Sequence, residues 1–439
     1  MHTLAQLRAG ELAGLRRLDL CGGLAEFPPE IFDLADSLEI LNLSGNALHS
    51  LPPGLHRLHR LRVLFCSDNR FTELPEAVGR CEQLEVVGFK ANRIEAVAAA
   101  ALPPRLRWLI LTDNALAGLP DELGRRPRLQ KLMLAGNRLA ALPETLAGCE
   151  RLELLRIAAN RFEALPGWLP ALPRLSWLAY ADNPLCAGSA RAPGTGVIDW
   201  ARLSLQSPPL GEGASGVIHP ALWQAAEGAA VPVAVKLFKG AVTSDGSPAS
   251  EMAACIAAGP HRHLVSALGQ LGGHPQGTPG LVMDRIAAVF RNLAGPPSLD
   301  SCTRDVYAAE ARFTPQAAVR LALGIASATA HLHARGILHG DLYAHNILWD
   351  GQGEALLGDF GAASFLPVGD ERAAQALQRL EVRAFGCLLE ELLARCEAGG
   401  EGLVGLQALQ RRCLHEPADG RPLFDEIEQA LRGLAGAAS

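Results

Sequence analysis

A chain of 439 residues is longer than one hydrophobic core usually organises, so we expect at least two separately packed units. Its composition, 49% hydrophobic and 20% charged, is that of a soluble globular protein, and the net charge of -6 excludes a generally basic surface for nucleic acid or anionic membrane. Residues 1–20 contain no uninterrupted apolar segment of the kind that a secretory signal or a membrane span requires. The 10 cysteines include no Cys-x-x-Cys pair, which argues against a zinc site and a disulfide framework. We therefore expect a cytoplasmic protein with reduced thiols, and the abundance of Ala, Gly, Arg and Leu favours a bacterial source with a GC-rich genome.

An internal repeat fills the first half of the chain. Asparagines recur at intervals of 22 or 23 residues, and Gly23 lies one further period upstream, which predicts about eight repeats over residues 1–187. Each period reads Leu-x-x-Leu-x-Leu-x-x-Asn and then Leu-Pro, a pattern that resembles the leucine-rich repeat family. The resemblance implies an α/β leucine-rich-repeat solenoid, in which stacking of neighbouring coils buries the leucines and the asparagine side chains bond to the backbone. The repeated asparagines are Asn46, Asn69, Asn92, Asn114, Asn137, Asn160 and Asn183.

The variable strand positions of the repeats form two columns that are expected on the concave face. The first column is Ile40, Val63, Val86, Trp108, Lys131, Leu154 and Trp177, and the second is Asn42, Phe65, Gly88, Ile110, Met133, Arg156 and Ala179. Both columns are unusually apolar for an exposed face. We interpret Phe65, Trp108, Ile110, Met133 and Trp177 as a surface that binds a protein ligand or substrate. The alternative is that the second domain of this chain covers part of the surface.

The periodicity stops near Cys186, where glycine, alanine, proline and serine accumulate. We interpret residues 188–205 as a linker and expect a second domain over residues 206–439. A glycine-rich segment opens that domain, since residues 210–218 read Leu-Gly-Glu-Gly-Ala-Ser-Gly-Val-Ile. Only glycine allows backbone amides to approach the phosphates of a nucleotide closely, so this segment is a candidate phosphate-binding loop.

Three further segments extend the pattern. Residues 233–236 read Val-Ala-Val-Lys in a strand-like run, and Glu251 in the following helix is a candidate partner for Lys236. Residues 339–348 read His-Gly-Asp-Leu-Tyr-Ala-His-Asn-Ile-Leu, and residues 357–361 read Leu-Gly-Asp-Phe-Gly. In this order the segments resemble the eukaryotic-like protein kinase superfamily. The resemblance covers about residues 205–435 and implies a bilobal α+β protein kinase fold with ATP and Mg²⁺ as cofactors.

The resemblance also implies a role for each motif residue. Lys236, held by Glu251, orients the α and β phosphates of ATP. Asp359 and Asn346 bind Mg²⁺, and Asp341 accepts the proton of the substrate hydroxyl. A hinge at residues 281–286 and a long helix at residues 316–334 fit the same family. The remaining nucleotide-binding residues are Gly211, Gly213, Gly216, Ile218, Ala234, Met283 as gatekeeper, Asp284, Ile286 and Leu348.

The catalytic segment departs from the family pattern at three positions. Gly340 replaces the arginine that usually reads a phosphorylated activation segment. Tyr343 replaces the lysine that serine/threonine kinases carry, although we still favour serine or threonine over tyrosine as the acceptor. His345 stands where many tyrosine kinases place an arginine, so an imidazolium there would supply part of the missing charge. The alternative for His345 is an ordinary packed or surface histidine.

The segment after Asp-Phe-Gly is short and lacks an Ala-Pro-Glu motif. Glu381, at the start of a helix resembling the buried helix of the large lobe, replaces the aspartate that normally anchors the catalytic loop. Arg421 matches the arginine that usually pairs with the missing glutamate, which leaves its partner open. Between Gly361 and Glu381 the one hydroxyl side chain is that of Ser364, so we expect control without phosphorylation of this segment.

Three functions agree with these motifs. The first is an ATP-dependent protein kinase whose repeats bind a partner or a substrate. The second is a non-enzymatic switch, in which the kinase fold controls what the repeats bind. The third is a kinase of a small hydroxylated molecule, because such enzymes share the lower-lobe motifs and lack a peptide-docking platform.

Overall fold

The computed structural model describes residues 2–187, 196–213, 215–225, 228, 230–240, 243, 245–397 and 401–437. The chain divides into two compact units. The first unit consists of Met1–Leu175 and Asn183–Leu185, and the second consists of Ser176–Asp182 and Cys186–Ser439. The seven residues Ser176–Asp182 come from the last predicted repeat, yet they belong to the second unit.

The first unit contains one short strand per repeat. Each strand has three residues and pairs in parallel with the next without a shift, as in Leu41 opposite Leu64. The middle residue of each strand is fully buried, because it points into the core shared by adjacent coils. The coil architecture predicted from the repeats is therefore confirmed. The strands are β1 (Arg17–Asp19), β2 (Ile40–Asn42), β3 (Val63–Phe65), β4 (Val86–Gly88), β5 (Trp108–Ile110), β6 (Lys131–Met133) and β7 (Leu154–Arg156).

Short helical turns connect successive strands, and one further turn precedes β1 and another follows the last repeat. Two are α-helical, α1 (Leu4–Arg8) and α2 (Glu76–Gly79). The others are 3-10 turns, at Pro29–Leu34, Leu55–Arg57, Ala99–Ala101, Asp121–Arg125, Glu144–Gly148, Leu169–Ala171 and Pro184–Cys186. The asparagines bond between coils as expected. Asn69, for example, donates to the carbonyls of Leu43 and Cys66 and accepts from the amide of Leu48.

The second unit begins with the strand β8 (Trp177–Ala179) and a mixed sheet. The sheet has the order β10, β12, β13, β15, β14, β9, with β11 added beside β12. Its core consists of Ile198, Leu203, Ala221, Val233, Val235 and Val282. The strands are β9 (Val197–Asp199), β10 (Leu203–Leu205), β11 (Gly211–Glu212), β12 (Gly216–Trp223), β13 (Val231–Phe238), β14 (Ala267–Gly272) and β15 (Gly280–Asp284), with a 3-10 turn at Trp200–Arg202 and helix α3 (Pro248–Ala258).

Helices dominate the rest of the second unit. Helix α4 (Pro315–Ala334) follows the cap residue Thr314 and confirms the predicted long helix. Helix α5 (Glu371–Leu393) begins well before the predicted buried stretch at Leu380, so the activation segment is limited to residues 362–370. The remaining elements are β16 (Arg291–Asn292), β17 (Ile337–Leu338), β18 (Ile347–Trp349), β19 (Ala355–Leu357), β20 (Ser364–Phe365), α6 (Glu401–Cys413), α7 (Phe424–Ala437) and 3-10 turns at Ala344–Asn346 and Ala418–Gly420.

Part of the predicted linker is structured. Residues 197–205 contain β9 and β10, which pair with β14 and β12, while residues 188–195 lie outside the described part of the chain. All 10 cysteines are free thiols. Within the described residues, no helix has both the length and the apolar composition that crossing a membrane would require.

Candidate active site

The glycine-rich segment contains β11 and the start of β12, which pair in antiparallel. Gly211 lies opposite Ile218, and the amide of Gly213 donates to the carbonyl of Gly216 at 2.9 Å. A Cβ atom on Gly216 would lie 2.4 Å from the carbonyl oxygen of Leu237, so only glycine fits where β12 begins its pairing with β13. The predicted phosphate-binding segment therefore lies at the sheet, where β12 pairs with β13, the strand that carries Lys236.

Lys236 and Glu251 form a buried ion pair between β13 and α3. Their side chains are only 9% and 6% exposed. Ser247 caps α3 by accepting from the amide of Ser250, which fixes the helix start one turn before Glu251. Burial raises the pKa of Glu251, Asp359 adds to this effect, and the ammonium group of Lys236 opposes it. The pair predicted from the sequence is thus formed in the structure.

The predicted adenine-binding residues lie on adjoining strands of the sheet. Met283 on β15 pairs with Ala234 on β13, and both side chains are buried. Ile218 on β12 pairs with Lys236. The exposed Asp284 and the half-buried Ile286 follow at the end of β15. The half-buried Leu348 belongs to β18, two residues after Asn346. Their contacts with a nucleotide remain a prediction.

The catalytic segment places Asp341 and Asn346 side by side. The side-chain amide of Asn346 donates to the carboxylate of Asp341 at 2.8 Å and to the backbone carbonyl of Asp341 at 3.0 Å. The 3-10 turn Ala344–Asn346 brings the asparagine back toward the aspartate. This arrangement holds the Asp341 carboxylate in one orientation, as a base that accepts a proton requires.

Glu381 of α5 is hydrogen-bonded to the backbone of the catalytic segment. Its carboxylate accepts from the amides of Gly340 at 2.7 Å and His339 at 3.3 Å, and it bonds to the ring of His333 at 2.8 Å. The side chain is 1% exposed. Burial alone would raise the pKa of Glu381, but the bond to His333, the histidine charges and the Gly340 amide together lower it. The substitution of glutamate for the family's aspartate therefore retains an ionised anchor.

Asp359 follows β19 and is exposed at the site. Its φ of +56° is uncommon for a residue with a side chain, and its carboxylate accepts from the amide of Gly361 at 3.1 Å. A Cβ atom on Gly361 would lie 3.2 Å from a carboxylate oxygen of Asp359 and 3.7 Å from one of Glu251. Gly361 thus lies beside both carboxylates. Phe360 is buried instead, with its ring 5.4 Å from that of His339.

The donor set of Asp359 and Asn346 fits Mg²⁺. One carboxylate and one amide oxygen are hard ligands, and Mg²⁺ usually takes few protein ligands while keeping waters and phosphate oxygens. Among the described residues no group of three or more His, Cys, Asp or Glu side chains is arranged to hold a metal by itself.

His345 has a partner that sequence analysis missed. Its ring bonds to Asp305 at 2.8 Å, and its backbone amide donates to the other oxygen of that carboxylate at 2.9 Å. Burial lowers the pKa of His345, but the bond to Asp305 and the charges of Asp305, Asp341 and Asp359 outweigh this and raise it. This favours the protonated form of His345, four residues after Asp341. Asp305 lies 40 residues earlier in an irregular loop, where no motif marks it.

The partners of Arg421 include backbone carbonyl groups from two other parts of the second unit. It is 2% exposed and donates to the carbonyls of His415 at 2.9 Å and Arg379 at 3.1 Å. Burial, with a contribution from Arg383, lowers its pKa to about 10. The arginine therefore links the first half of α5 to the segment between α6 and α7 through backbone carbonyl groups.

The expected apolar binding surface needs one correction. Trp177 is 1% exposed, because its ring stacks on Tyr343 of the same unit, and so it is not available to a partner. Phe65, Trp108, Ile110 and Met133 are each partly exposed. In the first unit Lys131 lies 4.1 Å above the ring of Trp108, whose indole nitrogen donates to the sulfur of Met133.

Family models match both halves of the chain. Residues 205–398 match a model described as protein tyrosine and serine/threonine kinase. Residues 104–162 and 37–58 match models described as leucine rich repeat.

Several curated relatives come from Arabidopsis thaliana. A calmodulin-binding receptor kinase, CaMRLK, is 32% identical over 117 residues, which cover 27% of this chain and 16% of the relative. The leucine-rich repeat receptor-like protein kinase PXC2 is 33% identical over 92 residues, covering 20% and 10%. A protein named "Probable serine/threonine-protein kinase PBL26" is 34% identical over 97 residues, covering 17% and 23%. The chain thus spans less than a quarter of each of these relatives, and their plant source gives the expected bacterial source no support.

Among solved structures, an LRR protein of Leptospira interrogans matches with a TM-score of 0.36 and 27% identity. The match covers 39% of this chain and 50% of that one.

Proposed function

We propose that this chain, which combines leucine-rich repeats with a protein kinase domain, is an ATP-dependent protein kinase whose repeats bind a partner or a substrate. The observation that carries the proposal is one cluster of motif residues. Glu251 pairs with Lys236, and Gly361 lies next to the carboxylates of both Glu251 and Asp359. In the catalytic segment, Asp341 and Asn346 are hydrogen-bonded to each other. A scaffold that had lost catalysis would not need all of these groups.

Each side chain has a separate task in this proposal. Bound ATP with Mg²⁺ would supply the transferable phosphoryl group and a cation that neutralises its charge. Lys236, oriented by Glu251, binds phosphate oxygens, and Asp359 with Asn346 would hold the cation. Asp341 accepts the proton that leaves the acceptor hydroxyl. The raised pKa of His345 favours its protonated form, whose positive charge would replace part of the charge lost where Tyr343 stands in place of the family's lysine.

We favour serine or threonine as the acceptor. The names of the matched relatives support this choice, since PBL26 is named as a serine/threonine-protein kinase. We also propose that Phe65, Trp108, Ile110 and Met133 contribute to a protein-binding surface on the repeats, because apolar and aromatic side chains dominate such contacts. The free cysteines support a reducing, cytoplasmic location.

The test is phosphate transfer by the purified full chain. The protein is incubated with γ-labelled ATP and Mg²⁺, with and without casein as a general protein acceptor. Asp359→Ala and Lys236→Met each remove a group that acts on the nucleotide, so both should lower the rate by roughly a thousandfold or more. Asp419→Ala removes an exposed carboxylate of the same unit and serves as the control. Equal labelling by wild type and both site variants would refute the proposed roles.

A kinase of small hydroxylated molecules is the second candidate. The activation segment of residues 362–370 is too short for a usual peptide-docking platform. Transfer to a set of small alcohols, with no labelling of casein or of the chain itself, would favour this candidate. Binding of ATP without any transfer would favour the non-enzymatic switch.

A further inference from the structure

The Ser176–Asp182 segment contacts the catalytic loop through Trp177. The indole N–H of Trp177 donates to the carbonyl of Leu342 at 3.0 Å. Its ring stacks on Tyr343, with centroids 4.2 Å apart and planes at 7°. Leu342 and Tyr343 directly follow Asp341. The tryptophan therefore supports both the backbone and the side chain next to the proposed base.

The same segment contacts the activation segment through Tyr180. Its backbone amide donates to the hydroxyl of Ser364 at 3.1 Å, and its own hydroxyl donates to the carbonyl of Phe365 at 3.0 Å. Tyr180 and Ser364 are both fully buried. These bonds fix β20, the strand that follows the Asp-Phe-Gly motif.

The backbone of the segment fills the place where the family carries an arginine. Gly340 has a φ of +73°, and a Cβ atom there would lie 2.5 Å from the carbonyl oxygen of Leu178 and 2.6 Å from that of Ala362. Both contacts are with backbone atoms, which cannot move aside as a flexible side chain can. A side chain would therefore clash at this position with the backbone of the segment on one side and that of the activation segment on the other.

The end of the segment contacts helix α3. Asp182 accepts from the backbone amide of Ser247 at 3.1 Å and from the hydroxyl of Ser250. A carboxylate at the start of a helix is favourable, because the unpaired amides carry a partial positive charge. Glu251, the partner of Lys236, is the next residue after Ser250. The aspartate therefore fixes the helix end that carries the ion pair.

We propose that the Ser176–Asp182 segment positions the kinase site and does the work that a phosphorylated activation segment does in other kinases. The inference rests on the proposed function and identifies the segment as the part of the chain that controls phosphate transfer. The segment connects the three parts that must be ordered for transfer: the catalytic loop, the activation segment and α3. Trp177, Tyr180 and Asp182 are positioning residues, since they act through Tyr343, Ser364 and Ser250. The flanking residues Leu175 and Asn183 belong to the first unit, so the repeats are covalently joined to this segment at both ends.

Two full-chain variants test the proposal. Trp177→Leu removes the stacking and the indole bond, and Asp182→Ala removes both acceptors at α3. Asp182 has a φ of +60°, but alanine is accommodated at the equivalent repeat position, where Ala91 has a φ of +53°. The matched controls are Trp168→Leu, a partly exposed tryptophan of the first unit, and Asp113→Ala, an exposed aspartate with a φ of +57° at the same repeat position.

Two measurements are made on each protein. The first is the initial rate of phosphate transfer at saturating ATP, together with the KM for ATP. Misplacement of the catalytic groups should lower kcat by roughly tenfold to a hundredfold in both segment variants, and the controls should stay near wild type. The second is hydrogen exchange of residues 337–346 and 362–366, which should become faster in Trp177→Leu but not in Trp168→Leu.

The outcomes separate the two proposals. If the wild-type protein transfers no phosphate, the proposed function is overturned, but not the positioning role. Hydrogen exchange of residues 337–346 and 362–366 then decides whether the segment positions these two loops. Unchanged kcat and unchanged exchange in both segment variants would overturn the positioning role. A rise of kcat in Trp177→Leu would also overturn it, since the segment would then act as a brake on the site.

Discussion

At the scale of single residues, His345 shows how a contact distant in sequence can change the charge of the site. Its ring is bonded to the fully buried carboxylate of Asp305, and Asp341 and Asp359 also favour its protonated form. A histidine with a raised pKa binds its proton more tightly in the folded protein than in the unfolded chain. Its stabilising contribution is therefore complete below the ordinary histidine pKa of about 6.5 and is lost as the pH rises through the raised value.

His345→Gln should accordingly lower stability by a pH-dependent amount. We expect the loss to be about 1 kcal/mol or more at pH 6, where the charged hydrogen bond is intact, and smaller at pH 9. Urea unfolding of the second unit at both values measures it. Asp305→Asn and the double variant complete a mutant cycle, in which the coupling between the two side chains should decline with rising pH. A coupling that grows with pH would mean that the neutral imidazole forms the stronger bond.

At the scale of elements, α5 is connected to the catalytic segment by one buried carboxylate. Glu381→Gln would replace one carboxylate oxygen by an NH₂ group that faces the backbone amide of either Gly340 or His339. A buried donor would then lack an acceptor, and the charge opposite His333 would be lost. We expect a loss of about 3 kcal/mol in unfolding free energy and a large loss of transfer.

The control for this prediction is Glu390→Gln on the same helix, whose exposed carboxylate pairs with Arg304 at 3.4 Å and should contribute less than about 1 kcal/mol. The pKa of Glu381 is lowered, so its contribution is present above the ordinary carboxyl range and is lost as the pH falls through the folded value. The difference between wild type and Glu381→Gln should therefore shrink in acid. Equal stability of the two proteins at pH 7 would show that the charge has no anchoring role.

The activation segment should work without phosphorylation. Ser364 is the one hydroxyl between Gly361 and Glu381, and it is fully buried with its oxygen bonded to Tyr180. A phosphate there would add charge in a site without room for it. Phosphatase-treated protein should keep its initial transfer rate, Ser364→Ala should keep most of it, and Ser364→Asp should lose it. The opposite order, a collapse in the alanine variant and rescue by aspartate, would identify Ser364 as a phosphorylation switch.

At the scale of the whole molecule, the parts that the sequence predicted differ in kind from those it did not. The coil architecture and the kinase motifs follow from local patterns, because a buried leucine or a phosphate-binding glycine requires one residue type at a set spacing. Trp177 looked like its counterpart Trp108, since both occupy the same repeat position. What separates them is a contact with Leu342, 165 residues away along the chain, and no periodicity encodes such a contact. The contact of Asp305 with His345 was not predicted for the same reason.

The repeats should control which acceptor the whole chain modifies. Trp108 and Met133 contact each other and are partly exposed, so they offer an aromatic and a flexible apolar anchor on one surface. In the full chain, Trp108→Ala with Met133→Ala should lower kcat/KM for a protein acceptor that the repeats recruit by about tenfold or more, which equals roughly 1.4 kcal/mol. Transfer to casein and the KM for ATP should not change, because the second unit is untouched. Trp168→Ala, a partly exposed tryptophan outside the two columns, is the control. If the double variant lowers transfer to casein as much as to the recruited acceptor, the surface supports the fold and does not select the acceptor.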